Sequence, residues 1–165
     1  MSETTRRSRT HEWSEPGQLA EATRALSGHE YFAAWKKGEL VPPIAATLGF
    51  GLVDYGDGRV EISCVPEEFQ YNPYGTLHGG LAATLLDTAT GCAVHTRLSA
   101  GTGYATLNLN VSYLRPMTVD TGSVRCIGIV SSMGTRVAVA EAELLDGRDR
   151  KLAQATSTCL IVTPD

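Results

Sequence analysis

From residue 16 to residue 38 the apolar positions recur at helical spacing: Leu19, Ala22, Ala25 and Leu26, then Tyr31, Phe32 and Trp35. Ser27-Gly28 divides this stretch into two short helices. Lys36-Lys37-Gly38 marks its end, with cations at the negative pole and glycine beyond. Pro42-Pro43 stops any helix and opens an extended connection. The period then changes. Leu48 to Val53 reads as a strand, Asp57-Gly58 as a turn, and Arg59 to Val65 returns with alternating Val60, Ile62 and Cys64. Residues 67 to 78 form a polar loop. A long helix is predicted over residues 79 to 97, and only strands follow it. In the first, Tyr104 to Leu114, Leu107, Leu109, Val111 and Tyr113 share one face. Thr106, Asn108, Asn110 and Ser112 share the other. Residues 123–132, 136–145 and 151–162 are the next three strands, the last two joined by an Asp146-Gly147-Arg148-Asp149 turn. Ala138, Ala140 and Ala142 make a strip low enough for a helix to lie close to the sheet.

One long helix and about six hairpin-linked, hence antiparallel, strands predict an α+β domain with the helix against one sheet face. A chain of 165 residues fits one such domain. The expected organisation is a disordered polar tail over residues 1–15, a helical extension over 16–43 and the α+β domain over 44–165. With 42% hydrophobic and 19% charged residues the composition is that of a soluble globular protein. A net charge of −4 argues against nucleic acid as a partner, since that needs a basic surface to displace counterions. No apolar run is long enough for a membrane span. No hydrophobic segment follows the arginines of the tail, so a signal peptide is not expected and the cytoplasm is the default location. Cys64, Cys92, Cys126 and Cys159 form no C-x-x-C pair and read as reduced, buried small hydrophobes.

The long helix carries the candidate chemistry. At 100° per residue, Leu81, Leu85, Leu86, Ala89, Cys92 and Ala93 make a core face. The opposite face holds Gly80, Ala83, Thr84, Gly91 and Val94, with Asp87 in their midst. One carboxylate among small residues suggests a second surface covered by something narrow or by another chain. At the helix start, Gly79 and Gly80 leave backbone N–H groups open in the positive field of the helix end, a natural oxyanion site. The plainer alternatives are a solvent-facing Asp and a turn that needs two glycines. Asp87 lies about 12 Å along the axis from Gly79 at ~1.5 Å per residue, so one helix cannot bring both to one carbonyl carbon. Two antiparallel helices from two subunits can.

No G-x-S-x-G, no H-E-x-x-H and no Cys/His cluster is present, so neither a serine hydrolase nor a metal or other cofactor is called for. His11, His29 and His95 are scattered packing or surface residues.

Asn72-x5-His78-Gly79-Gly80-x6-Asp87, followed by Gly91, resembles the signature of hotdog-fold thioesterases of the phenylacetate-degradation (PaaI-like) type. Asn108-Leu109-Asn110-Val111-Ser112-Tyr113-Leu114-Arg115-Pro116 resembles the strand after the helix in that family. The resemblance covers roughly residues 45 to 162. It implies a long helix wrapped by an antiparallel sheet, dimerising edge to edge and often forming a homotetramer, with an acyl-CoA substrate. It further implies that the Gly79 amide polarises the thioester carbonyl. Asp87 from the partner chain would act as nucleophile or as base for water. Asn72 would position the water or the carboxylate, His78 would order the helix start, and Thr106 would hold the water. Thr106 requires a local twist or an edge position, because it belongs to the polar face of its strand. Gly80 belongs to the same helix start, on the substrate-binding side. Gly134-Thr135-Arg136 resembles a segment that touches the nucleotide phosphates of CoA; exposed amides and one Arg suit a phosphate, and equally suit a hairpin turn.

Two other functions fit parts of the pattern. A hotdog enoyl-thioester hydratase would pair a His with a carboxylate as acid and base. A non-catalytic acyl-CoA binding module would keep the pocket without needing Asp87.

Overall fold

The computed structural model describes residues 5–163. Six strands form one antiparallel sheet in the order β1-β2-β4-β5-β6-β3. They are β1 (Phe50–Gly56), β2 (Arg59–Cys64), β3 (Gly103–Tyr113), β4 (Val124–Met133), β5 (Val137–Leu145) and β6 (Lys151–Val162). Four helices accompany them: α1 (Pro16–Arg24), α2 (Gly28–Lys36), α3 (Pro43–Leu48) and α4 (Gly79–His95). The sheet curls around α4, which packs on β4, β5, β3, β6 and β2. This is the expected α+β hotdog architecture.

The core face of α4 is buried as its spacing requires, from Leu81 and Leu85 through Leu86, Ala89 and Ala93. Small residues bring the sheet close beneath it. Ala138, Ala140 and Ala142 are buried, and a Cβ on Gly128 would fall 2.1 Å from the Ala89 carbonyl oxygen. Gly91 and Val94 are buried within the chain too. That leaves Gly80, Ala83, Thr84 and Asp87 as the open stretch of the second face.

The structure corrects the reading of Pro42-Pro43 as the start of an extended connection. Pro43 is the first residue of α3, where its missing N–H would have had no helical partner. The helix closes on Gly49 at φ 75°, so the first strand begins at Phe50 rather than Leu48. Two arginines of the segment expected as a disordered polar tail meet the Glu67–Phe69 stretch. Arg7 pairs with Glu68 at 2.8 Å, Arg9 pairs with Glu67 at 2.5 Å, and the Arg9 guanidinium sits 4.3 Å from the Phe69 ring centre. The first four residues of that tail lie outside the described residues. Tyr31, Phe32 and Trp35 of α2 are buried against the body of the domain, with Tyr31 stacked on His95 at 5.0 Å.

The alternation expected in β3 slips once. A bulge between Thr106 and Asn108 sets Thr106 opposite Cys159 and Leu109 opposite Ser157, both inward-facing partners. Leu107, expected on the core face, is the inserted residue and is 58% exposed.

Candidate active site

Two clusters on α4 make the site. The first is the helix start. His78 is the N-cap, and its Nδ1 accepts the Gly80 N–H at 2.9 Å, which keeps the ring proton on Nε2. The flanking backbone is fixed from two sides: His78 N–H donates to the Gln70 carbonyl at 2.8 Å and Leu77 N–H to the Met117 carbonyl at 2.9 Å. Among the described residues nothing accepts from the Gly79 N–H. The Tyr113 hydroxyl donates to the Gly79 carbonyl at 3.2 Å, and a Cβ at 79 would press on the Tyr113 ring at 3.3 Å. An open amide in the field of a 17-residue helix is therefore held in place and kept unobstructed.

Pockets flank this amide on both sides. One of about 300 Å³ is lined by Gly79, Ala82, Tyr113, Leu114 and Arg115. The other, of about 460 Å³, is lined by Phe69, Tyr71, His78, Gly80, Leu81 and Thr84.

The second cluster lies two turns further on. Asp87 is half-buried, and the Thr106 hydroxyl donates to its Oδ1 at 3.0 Å. No other donor among the described residues reaches that carboxylate, so its second oxygen is open for chemistry. Thr106 arrives there by both routes that the sequence required of it. The bulge turns it inward, and β3 is an edge strand. Behind Asp87 lie Cys92, Cys159 and Tyr104. Burial pushes the Cys92 thiol up to about 12, with the Asp87 charge adding to the rise and the Tyr104 hydroxyl opposing it. Burial also raises Cys159. Both stay protonated at neutral pH and form a wall, not a nucleophile.

Asn72 stands apart from Asp87 within one chain. Its Oδ1 accepts from the Tyr74 N–H at 2.8 Å and the Thr76 N–H at 3.4 Å, and its Nδ2 donates to the Thr76 hydroxyl at 2.9 Å. It thus closes the turn that leads into the helix start. Gly134, Thr135 and Arg136 form the exposed turn between β4 and β5. There the Gly134 N–H donates to the Val137 carbonyl at 2.9 Å. Among the described residues no group of three His, Cys, Asp or Glu side chains converges on a metal-sized site. Tyr113 was not singled out from the sequence, where it reads as one more apolar-face residue 34 positions from Gly79.

One helix thus carries a carboxylate with one hydrogen-bonded and one open oxygen, and an unobstructed N-terminal amide, inside a hotdog fold. The model of the thioesterase superfamily matches residues 74–153. A Halobacterium salinarum protein named as an esterase is 36% identical over 118 residues, which span 68% of this chain and 76% of that one. The chain belongs to the thioesterase superfamily, and its activity class is thioester hydrolysis. The crystal structure of a thioesterase-type, phenylacetic acid degradation-related protein from Ralstonia eutropha has a TM-score of 0.72. It is 33% identical, over 79% of this chain and 98% of its own. A Streptococcus mutans protein crystallised with acetyl CoA shares the fold at a TM-score of 0.63 and 23% identity, over 69% of this chain and 89% of its own.

Proposed function

We infer that the protein hydrolyses acyl-CoA thioesters, with an aryl-acyl or medium-chain acyl group, to the free acid and CoA in the cytoplasm. The observation that carries this reading is the Asp87 carboxylate held through one oxygen by Thr106, on a helix whose Gly79 amide is open.

The two groups act from different subunits. They are about 12 Å apart along one axis, so a second copy supplies the missing half. β3 supports this, being an 11-residue edge strand with exposed Leu107 and an unpaired ladder on its outer side. Edge-to-edge pairing gives a dimer with two shared sites, and two dimers give a tetramer.

In each site the thioester oxygen accepts the N–H of Gly79 of the partner subunit. The developing oxyanion is stabilised there by a preorganised donor in a water-poor groove. Asp87 either attacks the carbonyl carbon itself or takes a proton from an attacking water. In both cases the C–S bond breaks and CoA leaves as the thiolate; in the first, water then hydrolyses the mixed anhydride to the free acid and restores the carboxylate, and in the second the proton held by Asp87 passes to the thiolate. The Thr106 hydroxyl fixes the carboxylate, or the water, in line with that carbon. His78 keeps the amide pointed outward. Asn72, through its turn, sets the entry to the helix start and reaches the water or carboxylate across the interface. The Gly134-Thr135-Arg136 turn takes the CoA phosphates, and Gly80 lines the substrate side of the pocket.

The S. mutans fold neighbour with acetyl CoA bound is consistent with CoA as carrier. A hydratase is disfavoured because His78 commits Nδ1 to the Gly80 N–H and so serves as the cap of the helix.

The test is thiol release over acyl-CoAs from acetyl to palmitoyl plus phenylacetyl and benzoyl, with wild type and Asp87→Asn side by side. Wild type should turn over, and the variant should keep its fold and oligomer while kcat falls about 10²–10⁴-fold. Near-normal turnover by Asp87→Asn would end the assignment. Binding without release by wild type would favour a non-catalytic module.

A further inference from the structure

We propose that Tyr104 is the end wall of the acyl pocket, so that the protein selects compact acyl groups and a second pocket, open to solvent, is cut off from it behind the ring. This rests on the acyl-CoA reading and, within it, favours aryl-acyl and short-chain groups over medium-chain ones.

Asp87, Gly91 and His95 are four residues apart and stand in one row along α4. The Tyr104 ring lies across the middle of that row. A Cβ on Gly91 would fall 2.5 Å from its Cε2 and 2.7 Å from its hydroxyl oxygen, so only glycine lets the ring lie this close. Its centre is 5.8 Å from that of His95, on the far side. The ring therefore stands between Asp87 and whatever lies beyond.

What lies beyond is a pocket of about 370 Å³, lined by Tyr104, His95, Thr23, Arg24, Thr102 and Val162 among others. Thr23 and Arg24 come from α1, outside the residues that the family model matches. Near Asp87 the wall is Cys92, Cys159 and Tyr104, which burial keeps protonated and uncharged. The amides of a pantetheine arm would find poor partners there. An apolar acyl group suits that surface better, so the arm is expected to leave on the other side.

The experiment is kcat/KM for butanoyl-, phenylacetyl- and dodecanoyl-CoA with wild type, Tyr104→Phe, Tyr104→Val, Tyr104→Ala and Tyr104→Ala/Thr23→Trp. Wild type and Tyr104→Phe should prefer the two compact substrates, since both keep the ring. Tyr104→Ala joins the two spaces. Burying each further methylene is worth about fourfold, so three of them should raise the dodecanoyl-to-phenylacetyl ratio roughly fiftyfold. Tyr104→Val should shift the ratio in the same direction with a side chain suited to a strand, which covers the case that the Ala variant does not fold. Thr23→Trp refills the rear pocket and should reverse the gain.

If wild type is active but no Tyr104 variant changes the ratio, the end-wall assignment is wrong and the acyl-CoA reading stands. Equal wild-type efficiency on dodecanoyl- and phenylacetyl-CoA would also overturn it. If wild type hydrolyses no acyl-CoA, both fall together.

Discussion

Gly128→Ala is the substitution for which the structure gives the sharpest expectation. Gly128 lies mid-sheet, with Val60 opposite on β2 and Ala142 opposite on β5. A methyl group there would stand 2.1 Å from the Ala89 carbonyl oxygen and 2.4 Å from its carbon. Carbon and oxygen ordinarily stop at about 3.3 Å. Helix and sheet must therefore separate by about 1.2 Å, and both obstructing atoms are backbone of a rigid element. Overpacking of this kind costs about 1–3 kcal/mol, here at the upper end. The gain from removing a strand glycine offsets about 0.5–1 kcal/mol. A net loss of about 2–2.5 kcal/mol lowers Tm by roughly 4–10 °C for a domain of this size. The urea midpoint should fall at unchanged m-value, measured at fixed protein concentration so that any association contributes equally. Activity should suffer as well. Ala89 is two residues from Asp87, and a misplacement of about 1 Å costs on the order of a hundredfold in rate. Gly51→Ala is the control, with nothing within 4 Å of the new methyl. Gly128→Ala as stable and active as that control would refute the claim that this contact sets the helix on the sheet.

Thr106→Val removes the hydroxyl on Asp87 and keeps the shape. Hydrogen bonds to charged groups are worth about 1.5–3 kcal/mol, so kcat should drop about 10- to 150-fold with KM little changed in steady-state thiol release. Asn72→Ala should lower kcat more than it raises KM; an effect confined to KM would make Asn72 a binding residue only. His95 is held neutral in the fold, because burial lowers its pKa below the ordinary value of about 6.5. Its contribution to stability is complete above that pH and is lost as pH falls through the lowered folded-state value. The urea midpoint should decline on that side, and His95→Gln should flatten the decline; an unaltered slope would place its cause elsewhere.

Most of the fold is legible from period alone. The core face of α4 and the alternation of β2, β4, β5 and β6 each repeat a local pattern that burial confirms. α3 was not legible, because the same Pro-Pro pair that forbids a helix before it can open one after it. The contacts of residues 5–15 were not legible either. They depend on Glu67, Glu68 and Phe69 more than fifty positions away, which nothing local announces.

The site divides in the same way. The placement of His78 and Gly79 at the start of α4 and of Asp87 two turns along it could be read because helix geometry is universal, and the same geometry argues that one chain cannot bring the two ends together. Thr106 could not be placed by period. In an unbroken β3, Leu107 would point inward with Leu109, and Asp87 would face an isobutyl group. One inserted residue exchanges them: the carboxylate receives a hydroxyl at 3.0 Å, and the leucine is turned out. The sequence does hold a trace of the slip, since Tyr104 and Leu107 are both apolar but an odd number of residues apart. The exposed leucine has a consequence for assembly. It lies on the free edge of the sheet, where pairing with a second β3 would cover it. The same bulge that brings the Thr106 hydroxyl to Asp87 thus leaves an apolar residue on the edge that a second subunit is proposed to pair with.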